Sequence, residues 1–215
     1  MFLDLVAKLS VINNSNSIIF SRKQFVLSDS GSSGDEIIIH SQSLTDGNET
    51  ISKARYLQWT REIGGGSQKS ETETIVNAVR DLPGKWPKIR EATIALAILI
   101  GVADFPGNLN IYFPADVHSG SSAHLSASFF VDMSRTFVDF SQNINQLLMK
   151  HLAMLAVDAV VESLMHYGVK PLQSSISCLP LDGGSGDRWW KSILEAITRR
   201  GLNLKDLHIC LSDSG

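Results

Sequence analysis

Residues 91–102 read EATIALAILIGV, a nearly continuous apolar run with Pro87 before it, Gly101 near its end and Pro106 after it. The run covers about half of the roughly 20 residues a membrane helix needs. With breakers on both sides, it predicts a strand covered on both faces of a sheet. Upstream, residues 17–21, 24–27, 36–40 and 55–61 have strand character. Turn-rich residues 13–16, 28–35 and 45–48 separate them, a pattern that predicts a small antiparallel meander. In the last of these strands, period two sets Leu57, Trp59 and Arg61 on one face and Tyr56, Gln58 and Thr60 on the other. Residues 2–9 carry apolar positions at helical spacing and predict a short helix. Gly64, Gly65 and Gly66 form a solvent loop by composition. No Gly-Lys-Ser/Thr follows them, so they are not a phosphate loop. Residues 71–82 predict a helix ended by Pro83-Gly84.

Downstream, residues 104–108 read as a turn on Pro106-Gly107. Residues 109–113 form a strand closed by Pro114, and residues 123–131 form another strand. Residues 143–166 are the clearest helix. Asn143 is its candidate cap, Gln146 completes a capping-box-like pair, and Gly168 suits the far end. A second helix spans 187–200, with Trp190, Ile193, Leu194 and Ile197 as its core face and Gly201 as its stop. This order predicts an α+β class, with a mixed or antiparallel sheet, helices packed on one face and the meander in front. It divides into a small β-rich subdomain (1–70) and an α/β domain (71–215). Both ends read as cut from a longer chain.

The chain has 215 residues, 43% of them hydrophobic and 19% charged, with a net charge of −3. That is the composition of an ordinary globular protein and offers no bulk attraction to nucleic acid or an anionic membrane. Two distant thiols, Cys178 and Cys210, make neither a disulfide framework nor a zinc spacing. A reducing, cytoplasmic setting without a membrane follows as the expectation. The N-terminal residues lack the basic and long apolar regions of a signal peptide.

Residues 109–135 read LNIYFPADVHSGSSAHLSASFFVDMSR. This stretch resembles the segment that follows the nucleotide-binding domain in sacsin-like ATPases, relatives of the ninety-kilodalton heat-shock chaperones and other GHKL ATPases. The matching positions are Phe113-Pro114, Gly120, His124, Phe129, Asp132 and Arg135. The strand at 92–100 and the long helix after it are also similar. The likeness covers roughly residues 1–165. Ser121-Ser122-Ala123 stand where the family prefers a bulkier residue and proline.

The resemblance implies a GHKL second-domain-like fold acting as a transducer. The chain itself would carry no cofactor, because it has no Glu and Asn on a helix followed by Asp-x-Gly-x-Gly. ATP and magnesium would belong to a preceding N-terminal domain. Arg135 would be the catalytic candidate, reaching the γ-phosphate across the domain boundary, with His124, Asp132 and Gly120 shaping the site. The implied partners are the N-terminal ATPase domain of the same protein, a client or partner protein, and a second copy by self-association.

Each candidate also has a plainer reading. Arg135 fits a surface ion pair with Asp132 or Asp139. His124 fits a hydrogen-bonded structural group. Asp116, His118, Ser119, Ser121 and Ser122 allow a Ser–His–Asp set to be imagined, but no Gly-x-Ser-x-Gly elbow is present. Trp189 and Trp190 are partner-contact candidates, as are Lys85 and Lys88 on either side of Trp86. These last features support an alternative, an ATP-independent protein- or nucleic-acid-interaction module.

Overall fold

The computed structural model describes residues 8–13, 16–26, 32–45, 48–66, 68–102, 107–111, 114–119, 121–131, 138–166, 174–176, 178–179 and 188–202. Arg135, Asp132, Gly120, Gly168 and Cys210 lie outside them. So does the segment at 2–7, most of the predicted turn at 104–108 and the side chain of Trp190.

Four long strands come first: β1 (Lys8–Asn13), β2 (Asn16–Val26), β3 (Ser32–Thr45) and β4 (Asn48–Gly64). They pair as an antiparallel meander. Lys8 and Leu9, expected in a helix, stand opposite Ser21 and Phe20 in β1. The two strands expected at 17–21 and 24–27 are one, because Arg22 and Lys23 continue the ladder opposite Ile37 and Glu36. Ser32 to Asp35, expected as turn, pair with β4. A neighbouring strand supplies backbone partners whatever the side chain, so polar residues extend a strand that composition alone would end.

Strand β5 (Glu91–Leu99) continues the sheet, antiparallel to β4 from Tyr56↔Leu99 to Gly64↔Glu91. Strands β4 and β5 thus join one sheet from either side of residue 70. Next come β6 (Asn108–Asn110), β7 (Pro114–His118) and β8 (Ala123–Ala127). The strand order is β1-β2-β3-β4-β5-β8-β6-β7. The only parallel pair among these is β6 with β8, so the sheet is mixed and the class is α+β. Residues 109–113 are therefore not one strand. Pro114 opens β7 instead of closing β6, as proline can at the first residue of an edge strand.

Helix α1 (Lys69–Val79) follows β4, α2 (Asn143–His166) follows β8, and α3 (Arg188–Arg199) comes last. Trp59, Leu96, Leu125 and Leu109 form one transverse row through β4, β5, β8 and β6. Each is at most 2% exposed. Burying side chains of this size contributes about 1.5–3 kcal/mol apiece. Helix α2 covers this row, with Leu152, Leu155, Ala156 and Ala159 wholly buried. The stretch Asn143–Ser163 is long and apolar enough to cross a membrane by length and composition, but 67% of it is buried inside the fold. It is apolar nearly all round because it packs on the sheet and on α1 and α3.

Two glycines are required by close approach. A Cβ on Gly64 (φ 81°) would sit 2.5 Å from the Arg90 carbonyl oxygen, and one on Gly107 would overlap the Ala123 carbonyl. Helix α3 stops at Gly201 (φ 65°), as the sequence predicts.

Candidate functional site

The described part of the family-like stretch is spread over β6, β7 and β8 and runs on to Val131. Odd positions of β8 point at the helices: Ala123, Leu125 and Ala127 are buried there. His124 therefore falls on the opposite face. Its Nδ1 accepts the Asn108 backbone N–H at 3.3 Å, and its ring is tilted at 41° to Tyr56, 6.3 Å away. Accepting at Nδ1 leaves the proton on Nε2. Burial lowers the pKa below the ordinary histidine value, so the neutral ring prevails near pH 7. Burial likewise raises the Tyr56 phenol. In this geometry His124 fastens the start of β6 to β8.

The serine cluster is structural. The Ser119 hydroxyl, 6% exposed, meets the Ser121 and Ala123 carbonyls at 3.0 and 2.8 Å. The Ser121 hydroxyl donates to the Cys178 carbonyl at 2.9 Å and accepts the Ala123 N–H. The Gly107 and Ser119 backbones exchange further bonds with this turn. These hydroxyls spend their protons on main-chain carbonyls, and the His124 Nδ1 is already accepting. The arrangement is not that of an activated nucleophile, so the Ser–His–Asp reading gains nothing.

At the end of β8 the chain is held by Asn145 of α2, which is wholly buried. Its Oδ1 accepts the Phe130 N–H at 2.7 Å. Its Nδ2 donates to the Phe130 and Asp139 carbonyls at 2.7 and 2.8 Å. Val131 and Val138 form an antiparallel bridge just beyond. Arg135 and Asp132 lie between these two valines in the sequence. The entry to α2 is built by Asp139, whose carboxylate accepts from the Ser141 N–H, the Ser141 hydroxyl and the Gln142 amide. Asn143, expected as the cap, is instead the first helical residue and is exposed, and the Gln146 side chain turns to the Phe140 and Ser141 carbonyls.

A second polar group, not foreseen from the sequence, lies between the sheet and the helices. Asp158 of α2, 6% exposed, pairs with Arg61 of β4 and with Arg200 after α3, both at 2.5 Å. One turn on, the Glu162 Oε2 accepts the Trp59 Nε1–H at 2.6 Å. About two turns before Asp158, the His151 pKa is lowered by burial; Glu71 raises it, while Arg61 and Arg199 lower it further. The only hint of this in the sequence was Arg61 sharing a face with Leu57 and Trp59.

The remaining candidates separate. Lys85 and Lys88 are exposed at the ends of a single turn in which Trp86 stacks edge-on against Phe130, at 5.3 Å. Trp189 is 1% exposed and donates its Nε1–H to the Cys178 carbonyl at 3.2 Å. That corrects its expectation as a contact residue, because the indole is already committed to the core. It is buried along with Ile193, Ala196 and Ile197 of the same helix. Among the described residues, no group of three His, Cys, Asp or Glu side chains gathers to hold a metal.

Comparison with protein-family models, curated proteins and solved structures returned no match for the chain.

Proposed function

We propose that this chain is the middle, transducer part of a sacsin-like, chaperone-type ATPase of the cytoplasm, with a GHKL second-domain-like fold. On this reading it relays the ATP state of a preceding N-terminal domain to a client or partner protein. ATP and magnesium are held by that preceding domain, and this chain contributes a cation.

The observation that carries the reading is the ordered match at 109–135, together with the anchored residues that flank the Arg135 segment in the sequence. Val131 and Val138 are bridged, and Asn145 clamps the backbone next to them. A cation that stabilises charge on a transferring phosphoryl group acts by position, so its supports must be rigid. A contact made only when two domains dock also couples nucleotide state to domain geometry. The α+β sheet with helices on one side agrees with the expected architecture.

The test is ATP turnover by the longer protein carrying the preceding domain, with Arg135→Ala beside wild type. The expected loss is on the order of 10²-fold or more in kcat, the scale of removing one transition-state contact. By calorimetry, the 215-residue chain alone should bind no ATP. Unchanged turnover in the variant sinks the proposal, as does ATP binding by the chain alone. The exposed Lys85 and Lys88 also fit an ATP-independent interaction module. Its mark would be a salt-sensitive complex formed by this chain with no nucleotide present.

A further inference from the structure

The cations of the fold are held in two ways. Arg55, Arg61, Lys150 and Arg200 each face a carboxylate. Lys69, Lys85, Lys88 and Arg90 are exposed and form no ion pair among the described residues. These last gather at one corner. Gly64 pairs with Glu91 across β4 and β5, and the Gly65 N–H donates to the Arg90 carbonyl at 3.3 Å. The loop before α1 thus lies against the end of the single helical turn Trp86–Lys88. Arg90 donates one guanidinium nitrogen to the Pro87 and Ile89 carbonyls, at 2.7 and 2.8 Å. That fastens its charge to the turn that carries Lys85 and Lys88.

Two further features stand in the same place. Trp86, between the two lysines in the chain, is half-buried, and its ring meets that of Phe130 edge-on at 5.3 Å. Asn145 holds both backbone groups of Phe130, so the aromatic pair has a rigid base. Beside the turn, Arg90 also lines a cleft of about 460 Å³ with Lys69, Glu73, Glu91, Gly65 and Gly66. The cleft carries both signs of charge, whereas residues 85–90 carry cations alone.

We propose that this corner binds single-stranded nucleic acid. Lys85, Lys88 and Arg90 meet the phosphodiester backbone, Trp86 stacks a base, and the cleft takes a neighbouring base by its edge. Charge complementarity names a polyanion, and the other two features choose among polyanions. A base is neutral and carries hydrogen-bond donors and acceptors together, so a cleft holding both cations and carboxylates suits it better than it suits an acidic peptide. A chain of carboxylates offers Trp86 no π-face, and every base has one. A duplex is disfavoured, because its bases are already stacked and one short turn enters no groove. The net charge of −3 gives no general attraction, so binding rests on this corner. The proposal is independent of ATP turnover; it rests on the interaction-module reading and gives that reading a partner.

The test is fluorescence anisotropy of a labelled, mixed-sequence DNA strand of about 12 nucleotides, within the site sizes of single-strand binders, titrated with the chain. The expected Kd at physiological salt is about 1–100 μM, the range of sequence-independent binding. Phosphate contacts from Lys85, Lys88 and Arg90 give a slope of log affinity against log salt of about −2. Trp86→Leu should weaken binding about 5- to 100-fold, the worth of one stacked base. Lys88→Glu should weaken binding and flatten the slope. Lys53→Glu should change neither, since Lys53 is equally exposed but stands about 36 Å along β4 from Gly64. Where Trp86→Leu fails to fold, the two lysine variants carry the test. No binding at about 200 μM chain overturns the proposal. So do equal losses in the two lysine variants, or unchanged affinity in a folded Trp86→Leu. Displacement of the strand by polyglutamate as readily as by unlabelled DNA also overturns it, and leaves an acidic-polymer site with the interaction-module reading intact.

Discussion

Asn145 satisfies both backbone groups of Phe130, accepting its N–H and donating to its carbonyl, each at 2.7 Å. One side chain on the first turn of α2 thereby does for the end of β8 what a neighbouring strand would otherwise do. The same amide reaches the Asp139 carbonyl at 2.8 Å, so the chain before α2 is held on both sides of the Val131–Val138 bridge.

Asn145→Ala should destabilise the fold by about 2–4 kcal/mol, because it strands three backbone groups at a buried position. Asn145→Asp should recover little, since a carboxylate cannot donate to the two carbonyls. Urea unfolding midpoints check both. A loss below about 1 kcal/mol would mean that water replaces the clamp.

Asp158→Ala should cost about 3–5 kcal/mol, because it removes a buried carboxylate that pairs with both Arg61 and Arg200. Replacing both Arg61 and Asp158 by apolar residues of similar volume should restore most of that stability. Lys150→Ala, which removes a pair with Glu195 whose partners are about half exposed, should change stability by less than about 1 kcal/mol. Equal effects of the Asp158 and Lys150 substitutions would refute the ranking.

Acid should weaken the fold through His124 and His151. Burial lowers the pKa of both in the folded state, so the unfolded chain binds more protons on acidification. Unfolding free energy therefore rises with pH wherever the unfolded histidines are still titrating. The contribution is fully present above the unfolded value of about 6.5 and is lost as pH falls from there toward the lower folded values. His124→Gln should flatten part of this slope in stability measured between about pH 7 and 5. A slope unchanged in the variant would remove His124 from the account.

Much of the local structure was legible. Helix α2 begins and ends at the residues its periodicity marked. The apolar run at 91–102 contains β5, and the alternation in residues 55–61 set Leu57 and Trp59 on one face, the one the structure buries. Misjudged were the elements whose partners decide them. Strand β7 opens on Pro114, which read as a stop. Strand β3 runs through serines and a glycine because β2 and β4 flank it. In the candidate site, His124 as a hydrogen-bonded group was legible from its small neighbours. The Asn145 clamp was not, because an asparagine inside a helical pattern reads as a solvent residue.

By itself the sequence determined the helices at 143–166 and 188–199 and the strand at 91–99, because their periods and breakers depend on residues within a turn or two of each other. The tertiary structure alone decided that Trp59 meets Glu162 across 103 positions and Arg61 meets Asp158 across 97. It also decided that the face carrying Leu57 and Trp59, and not that of Tyr56 and Thr60, is the one the helices cover. The physical reason is that period two sorts side chains onto two faces of a strand but is blind to which face the helices will cover.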